Sequence, residues 1–137
     1  MIKQILECVP NFSEGRNTEI INNIVNEVKN TEGVTLLNVD PDQATNRTVV
    51  TFVGEPSQVI EAAFKLIKKA AELINMETHS GEHPRMGATD VCPLIPISGI
   101  SIKETINYSK KLAEKVGKEL QIPIYLYEHS SKEKYRK

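Results

Sequence analysis

The sequence predicts an α+β domain in which strands and helices alternate as βαββαβ, followed by one further αβ pair, with the helices packed on one face of the sheet. Three observations carry this prediction. The chain has 137 residues, the commonest size for a single domain. A domain of that size buries roughly 68–70% of its unfolded surface, so it needs neither disulfides nor metal to fold. Runs rich in β-branched residues alternate with apolar stripes at helical spacing, and all connections but one are short.

The first strand is expected over residues 3–10, carrying Ile5, Leu6, Cys8 and Val9. Asn17 is a good N-cap for a first helix, whose stripe is Ile20, Ile21, Ile24, Val25 and Val28. Gly33 closes that connection. A second strand follows at residues 34–40, a polar turn at 41–46, and a strongly β-branched third strand at 47–53. Pro56 suits the first position of a second helix. That helix buries Val59, Ile60, Ala63, Phe64, Ile67, Ala70, Leu73 and Ile74, and turns Glu61, Lys65, Lys68, Lys69 and Glu72 to water. Residues 75–90 (NMETHSGEHPRMGATD) form a polar loop longer than most connections, and loops of that length are usually functional or disordered. Residues 91–97 resume as a strand that Pro93 and Pro96 confine to an edge or an irregular stretch. Ser101 and Glu104 form a capping box opening a third helix, with Ile102, Ile106, Leu112, Ala113, Val116 and Leu120 directed inward. Gly117 falls in that stripe, where it costs about 1 kcal/mol and is expected to allow close packing. Residues 122–127 read as a last strand, and the polar tail beyond is expected to fray.

Right-handed crossovers and hairpin pairing make an antiparallel ferredoxin-like sheet the simplest arrangement of these elements. In it the first two strands run parallel and end at one rim, where the third and fourth begin. Asn11, Asp40, Asn46 and Arg47 are expected to converge there with the loop that holds His79, Glu82, His83 and Arg85.

Charge and composition exclude several classes of function. Seventeen Lys+Arg against eighteen Asp+Glu give a net charge of −1, without the basic footprint that nucleic-acid binding needs. No apolar run is long enough for a membrane span, and the N-terminus has no signal-peptide core. Cys8 and Cys92, far apart in the chain, suit buried, reduced thiols in the cytoplasm. No P-loop, dinucleotide fingerprint or nucleophile elbow is present.

The long loop holds the sharpest motif. His79-x-x-Glu82-His83 matches a zinc-peptidase pattern, which needs a continuous helix to aim both imidazoles at one metal. Gly81 lies between them, and Pro84 pushes His83 out of the helical region, so no metal is expected. Cys92 reads as a small core hydrophobe. Proton transfer is the alternative chemistry. A histidine titrates near neutral pH, Arg85 offers a planar fork for carboxylates, and Asp40 offers a negative charge for an imidazole or a cationic substrate. The residues alone leave open blander roles: a carbonyl-bonded loop histidine, ordinary Asp-Pro-Asp turn chemistry, and Arg47 as an edge cap.

Three long, separated motifs go further. Residues 8–16 (CVPNFSEGR), Asn46-Arg47-Thr48-Val49 with Phe52-Val53-Gly54, and residues 81–88 (GEHPRMGA) running into Asp90-Val91-Cys92-Pro93 resemble the glutamate formiminotransferase family. The likeness implies transfer of the formimino group from N-formimino-L-glutamate to N5 of tetrahydrofolate, a late step of histidine breakdown. It implies His83 as the acid/base residue, with Arg85 and Asp40 as its catalytic partners; Asn11, Asn46 and Arg47 are expected to bind substrate. It also implies tetrahydrofolate as the co-substrate. On this likeness residues 1–137 are an N-terminal subdomain, with a core over 1–128 and a polar tail over 129–137. The family's catalytic unit resembles two such subdomains with folate in the groove between them, so the isolated chain is expected to bind folate weakly. A homodimer is expected. The reading from a different class is a non-catalytic subdomain serving dimerisation or small-ligand binding.

Overall fold

In the computed structural model, which describes residues 3–74, 89–91 and 93–120, the strand expected over residues 3–10 is the shorter β1 (Ile5–Cys8), and an unforeseen two-residue strand, β2 (Asn11–Phe12), follows beyond Pro10. Proline has no N–H to give a ladder. The neighbouring groups keep the sheet continuous across the gap: Val9 N–H donates to Pro93 O at 3.2 Å, and Pro10 O accepts from Val50 N–H at 3.0 Å. Burial alternates without a break, with Leu6, Cys8, Pro10 and Phe12 buried and Ile5, Glu7, Val9 and Asn11 half-buried.

The remaining elements are α1 (Thr18–Lys29), β3 (Val34–Asp42), β4 (Arg47–Gly54), α2 (Pro56–Leu73), β5 (Thr89–Val91), β6 (Leu94–Ser98) and α3 (Ile102–Lys115), which runs into a π-helical turn, Val116–Leu120. All strand pairings among the described residues are antiparallel. β4 pairs with β3 on one side and with β1 and β2 on the other; β6 pairs with β1, and β5 with β2. The sheet therefore reads β3, β4, then β1 with β2, then β6 with β5. This is an α+β architecture, as expected. The expected strand at 91–97 is two short pieces either side of Pro93, paired on one side only among the described residues. The expected turn at 41–46 is shorter than foreseen, because the β3–β4 ladder continues through Pro41↔Thr48 to Asp42↔Arg47. Pro41 is tolerated there because, among the described residues, β3 is an edge strand with no neighbour on its far side.

The helices cover the face that carries Leu6, Cys8, Phe12, Val50 and Phe52, all fully buried. Asn17 caps α1, its Oδ1 accepting Ile20 N–H at 3.2 Å, and Ile21, Ile24, Val25 and Val28 are buried as the spacing requires. α2 packs against α1, α3 and the sheet, so its buried surface is wider than one stripe and includes Ala62 and Leu66. Its charged side is solvated and pairs locally, Lys69 with Glu72 at 3.5 Å. Lys115 of α3 reaches Glu61 at 3.3 Å and lies 4.4 Å from the centre of the Phe64 ring.

Two expectations for the third helix are corrected. The capping box is present, but Ile102 is 60% exposed, and the buried side of α3 is Thr105, Ser109 and Leu112, continuing to Val116. The helix is turned so that two small hydroxyl residues lead toward α2 and β6. The Thr105 hydroxyl donates to Ser101 O at 2.9 Å, so its burial leaves no unmet donor. Gly117 is exposed, with nothing within 4 Å of where a Cβ would stand, so it serves no close packing. The predicted strand at 122–127, the polar tail and Cys92 lie outside the described residues.

Candidate functional site

The sheet face opposite the helices is open among the described residues. Side chains alternate across a strand, so the partners of buried residues point inward and their neighbours outward. Val34, Leu36 and Val39 of β3 pack on the core, and the irregularity between Leu36 and Asn38 leaves Leu37 on the open side, 56% exposed. Ile97 and Ile95 of β6 are 53% and 39% exposed.

One row of this face collects two residues singled out from the sequence, Asp40 and Asn11, with Val49 between them. Asp40 is directly opposite Val49, Val49 opposite Asn11, and Asn11 opposite Val91. Two strand spacings put the Asp40 and Asn11 backbones about 10 Å apart. Asp40 is exposed and Asn11 half-buried. Asn11 Oδ1 is itself buried and accepts no hydrogen bond among the described residues. Most buried acceptors are paired, so an unmet one is a mark of strain or of a site. Two pairs along the ladder, Arg47 stands opposite Asp42, exposed at the start of β4. By strand alternation Arg47 shares the outward face with Val49. The open face thus presents a carboxylate for a cation and an amide in one row, with a guanidinium for a carboxylate two pairs along the ladder.

Asn46 is held differently. Its backbone is left-handed, with φ 56°, and its Oδ1 accepts Gly15 N–H at 2.9 Å. That bond ties it to the loop between β2 and α1, which leads into the helix layer. Around it lie contacts the sequence did not reveal. The Thr48 hydroxyl, on a fully buried residue, donates to Glu14 O at 2.6 Å, and Arg16 Nε–H donates to Gln43 O at 2.9 Å. The Glu14 carboxylate accepts from Arg16 N–H at 3.0 Å and Asn17 N–H at 2.8 Å, steadying the start of α1. The polar, glycine-punctuated stretch from Ser13 to Asn17 was the available signal, since it links a strand to a helix at the expected rim.

His83 and Arg85, with His79 and Glu82, lie outside the described residues. The chain re-enters at β5, whose Thr89 is opposite Phe12, next to the Asn11 row. Among the described residues no three His, Cys, Asp or Glu side chains gather as metal ligands. No described helix is long and apolar enough to cross a membrane.

Comparison with known proteins gives a consistent result. Residues 5–137 match the family described as "Formiminotransferase domain, N-terminal subdomain". The chain is 52% identical over 128 residues to a glutamate formimidoyltransferase of Streptococcus pyogenes serotype M1, covering 93% of this chain and 43% of that protein. It is 48% identical over 136 residues to a formimidoyltransferase-cyclodeaminase of Dictyostelium discoideum, covering 99% of this chain and 25% of that one. A glutamate formimidoyltransferase of Thermoplasma acidophilum is 45% identical over 123 residues, covering 90% and 41% respectively. The chain spans less than half the length of each of these relatives.

Proposed function

The chain belongs to the formiminotransferase family, as its N-terminal subdomain, and from that premise we propose that it supplies the acid/base side of a site transferring the formimino group from N-formimino-L-glutamate to N5 of tetrahydrofolate. The observation that carries the reading is the row on the open sheet face, in which Asp40 and Asn11 flank Val49, with Arg47 two pairs along the ladder. The same rim receives β5, and Arg85 precedes Thr89 by four residues, a reach of at most about 14 Å.

The chemistry assigns one task to each residue. The formimino carbon belongs to an amidine, cationic when protonated. Folate N5 attacks that carbon and forms the new C–N bond through a tetrahedral intermediate. His83 takes the proton that N5 loses and returns one to the departing glutamate nitrogen as its C–N bond breaks. Asp40 stabilises the amidinium charge from a fixed position on the sheet. Arg85 holds a substrate carboxylate in two parallel hydrogen bonds and fixes the attack geometry. Arg47 and Asn11 bind substrate from the open face.

Because the chain spans less than half of its relatives, the complete site is assigned to this subdomain together with a second one, folate lying between them. The exposed Leu37, Ile95 and Ile97 favour a covered face. The ferredoxin-like reading of the sheet is supported by the strand order, with the strands of the β3–β4 hairpin beside β1 and β2 and the last pair beyond. A cytoplasmic homodimer acting in histidine breakdown completes the proposal.

The test is a formimidoyltransferase assay of the full-length gene product and its His83→Ala variant. Loss of roughly two to four orders of magnitude in kcat is expected on removing the acid/base group. An inactive wild type that still binds folate would favour the non-catalytic subdomain instead.

A further inference from the structure

We propose that Asn46 is a positioning residue rather than a substrate ligand: it clasps the β3–β4 turn to the loop after β2 and thereby holds Arg47 on the open face. The inference rests on the transferase reading and adds to it a residue that acts without touching substrate.

Three hydrogen bonds join the two segments: Gly15 N–H to Asn46 Oδ1 at 2.9 Å, Arg16 Nε–H to Gln43 O at 2.9 Å, and the Thr48 hydroxyl to Glu14 O at 2.6 Å. Gly15 is buried in a seat with no room for a side chain. A Cβ there would overlap Asp42 O and stand 2.6 Å from Arg47 N and 2.7 Å from Arg47 O. The backbone of the glycine is thus pressed against the backbone of Arg47 itself. A second turn contact, Ala44 N–H to Asp42 Oδ1 at 3.0 Å, fixes the hairpin locally.

Asn46 contributes two separable properties to this arrangement. Its side chain supplies the acceptor for Gly15. Its left-handed backbone reverses the chain just before Arg47, and asparagine adopts that region more readily than most residues. With the oxygen committed to Gly15, Asn46 is half-buried, whereas Arg47 is exposed on the ladder that carries Val49, Asp40 and Asn11.

Three variants of the full-length gene product separate the two roles. Asn46→Asp keeps the acceptor and tolerates a left-handed backbone but has no amide N–H to offer a substrate. Asn46→Gly keeps the backbone and loses the acceptor. Asn46→Ala loses both. A positioning role predicts that Asn46→Asp stays within about threefold of wild-type kcat/KM. Asn46→Ala is expected to fall roughly 10- to 100-fold, mainly through KM for formimino-glutamate, with Asn46→Gly between them. Hydrogen exchange over residues 13–17 gives the readout independent of activity: Gly15 is expected to exchange about tenfold faster or more in the Ala and Gly variants and near the wild-type rate in Asp. If Asn46→Ala does not fold, Asn46→Gly against Asn46→Asp carries the comparison. Equal losses in Asp and Ala, or unchanged exchange in Gly and Ala, overturn the proposal. An inactive wild type sinks the transferase reading alone, because the exchange measurement still decides the clasp.

Discussion

Asp40 and Asn11 stand in one row of the sheet with only Val49 between them, although 28 residues and a helix separate them in the chain. Neither is needed to hold the core, because Asp40 is exposed and Asn11 faces away from the helices. Asp40→Asn keeps the shape and removes the charge. Its expected effect is a loss of roughly 10²–10³ in kcat, the size of a lost preorganised electrostatic contact. Its unfolding free energy should stay within about 0.5 kcal/mol of wild type. Steady-state kinetics and urea denaturation on the same preparation check both halves.

Asn11 is expected to show the opposite coupling. Its buried Oδ1 lacks a partner among the described residues, and a buried acceptor left unmet costs about 1–3 kcal/mol. Replacing the amide with an apolar side chain of similar shape removes that cost. Asn11→Leu should therefore unfold at a higher urea midpoint than wild type while raising KM for substrate. A lower midpoint would show that the amide is satisfied in solution.

Much of this architecture was legible because it is local. The Asn17 cap, the Ser101–Glu104 capping box and the β-branched run from Arg47 to Val53 each act within a few residues, and each is where local chemistry requires. The rotation of α3 was not legible, because a hydrophobic stripe counts Ile102 and ignores Thr105 and Ser109. What decided it was close packing of small residues against α2 and β6. The site divides the same way. Topology foretold a common rim for Asp40, Asn11 and Arg47; that they share one open face follows from strand register, because the strands run on past the ends the sequence suggested. The tie between Asn46 and Gly15 spans 31 residues and leaves no periodic trace.

The clasp has a second member that can be tested through stability. Thr48 is fully buried, and its hydroxyl donates to Glu14 O at 2.6 Å. Thr48→Val preserves volume and branching but removes the donor, leaving a carbonyl that must find another partner. A loss of about 1–2 kcal/mol is expected from denaturant unfolding. An unchanged midpoint would mean that water replaces the hydroxyl at no net cost.

Gly117 offers a gain instead. It is exposed in the π-helical turn after α3, and the space around its missing Cβ is empty. Alanine restricts the unfolded chain more than glycine does and clashes with nothing there. Gly117→Ala should stabilise the protein by about 0.4–1 kcal/mol, raising the thermal midpoint without changing activity.

The last prediction concerns folate. Ligand sites are concave and bury most of their ligand. The row of Asp40, Val49 and Asn11 lies on a sheet face that is open among the described residues and also carries the exposed Leu37 and Ile97, and Asp40 itself is exposed. One such face can orient a charged group but cannot enclose a pterin ring and its tail. Residues 1–137 alone should therefore bind tetrahydrofolate with a Kd of about 100 µM or weaker, since a single polar wall gives up most of the apolar burial that tight binding uses. The full-length gene product should bind at least about tenfold more tightly, a difference of about 1.4 kcal/mol. Calorimetric titration of both proteins decides it: micromolar binding by residues 1–137 would mean that this subdomain encloses folate without a second wall.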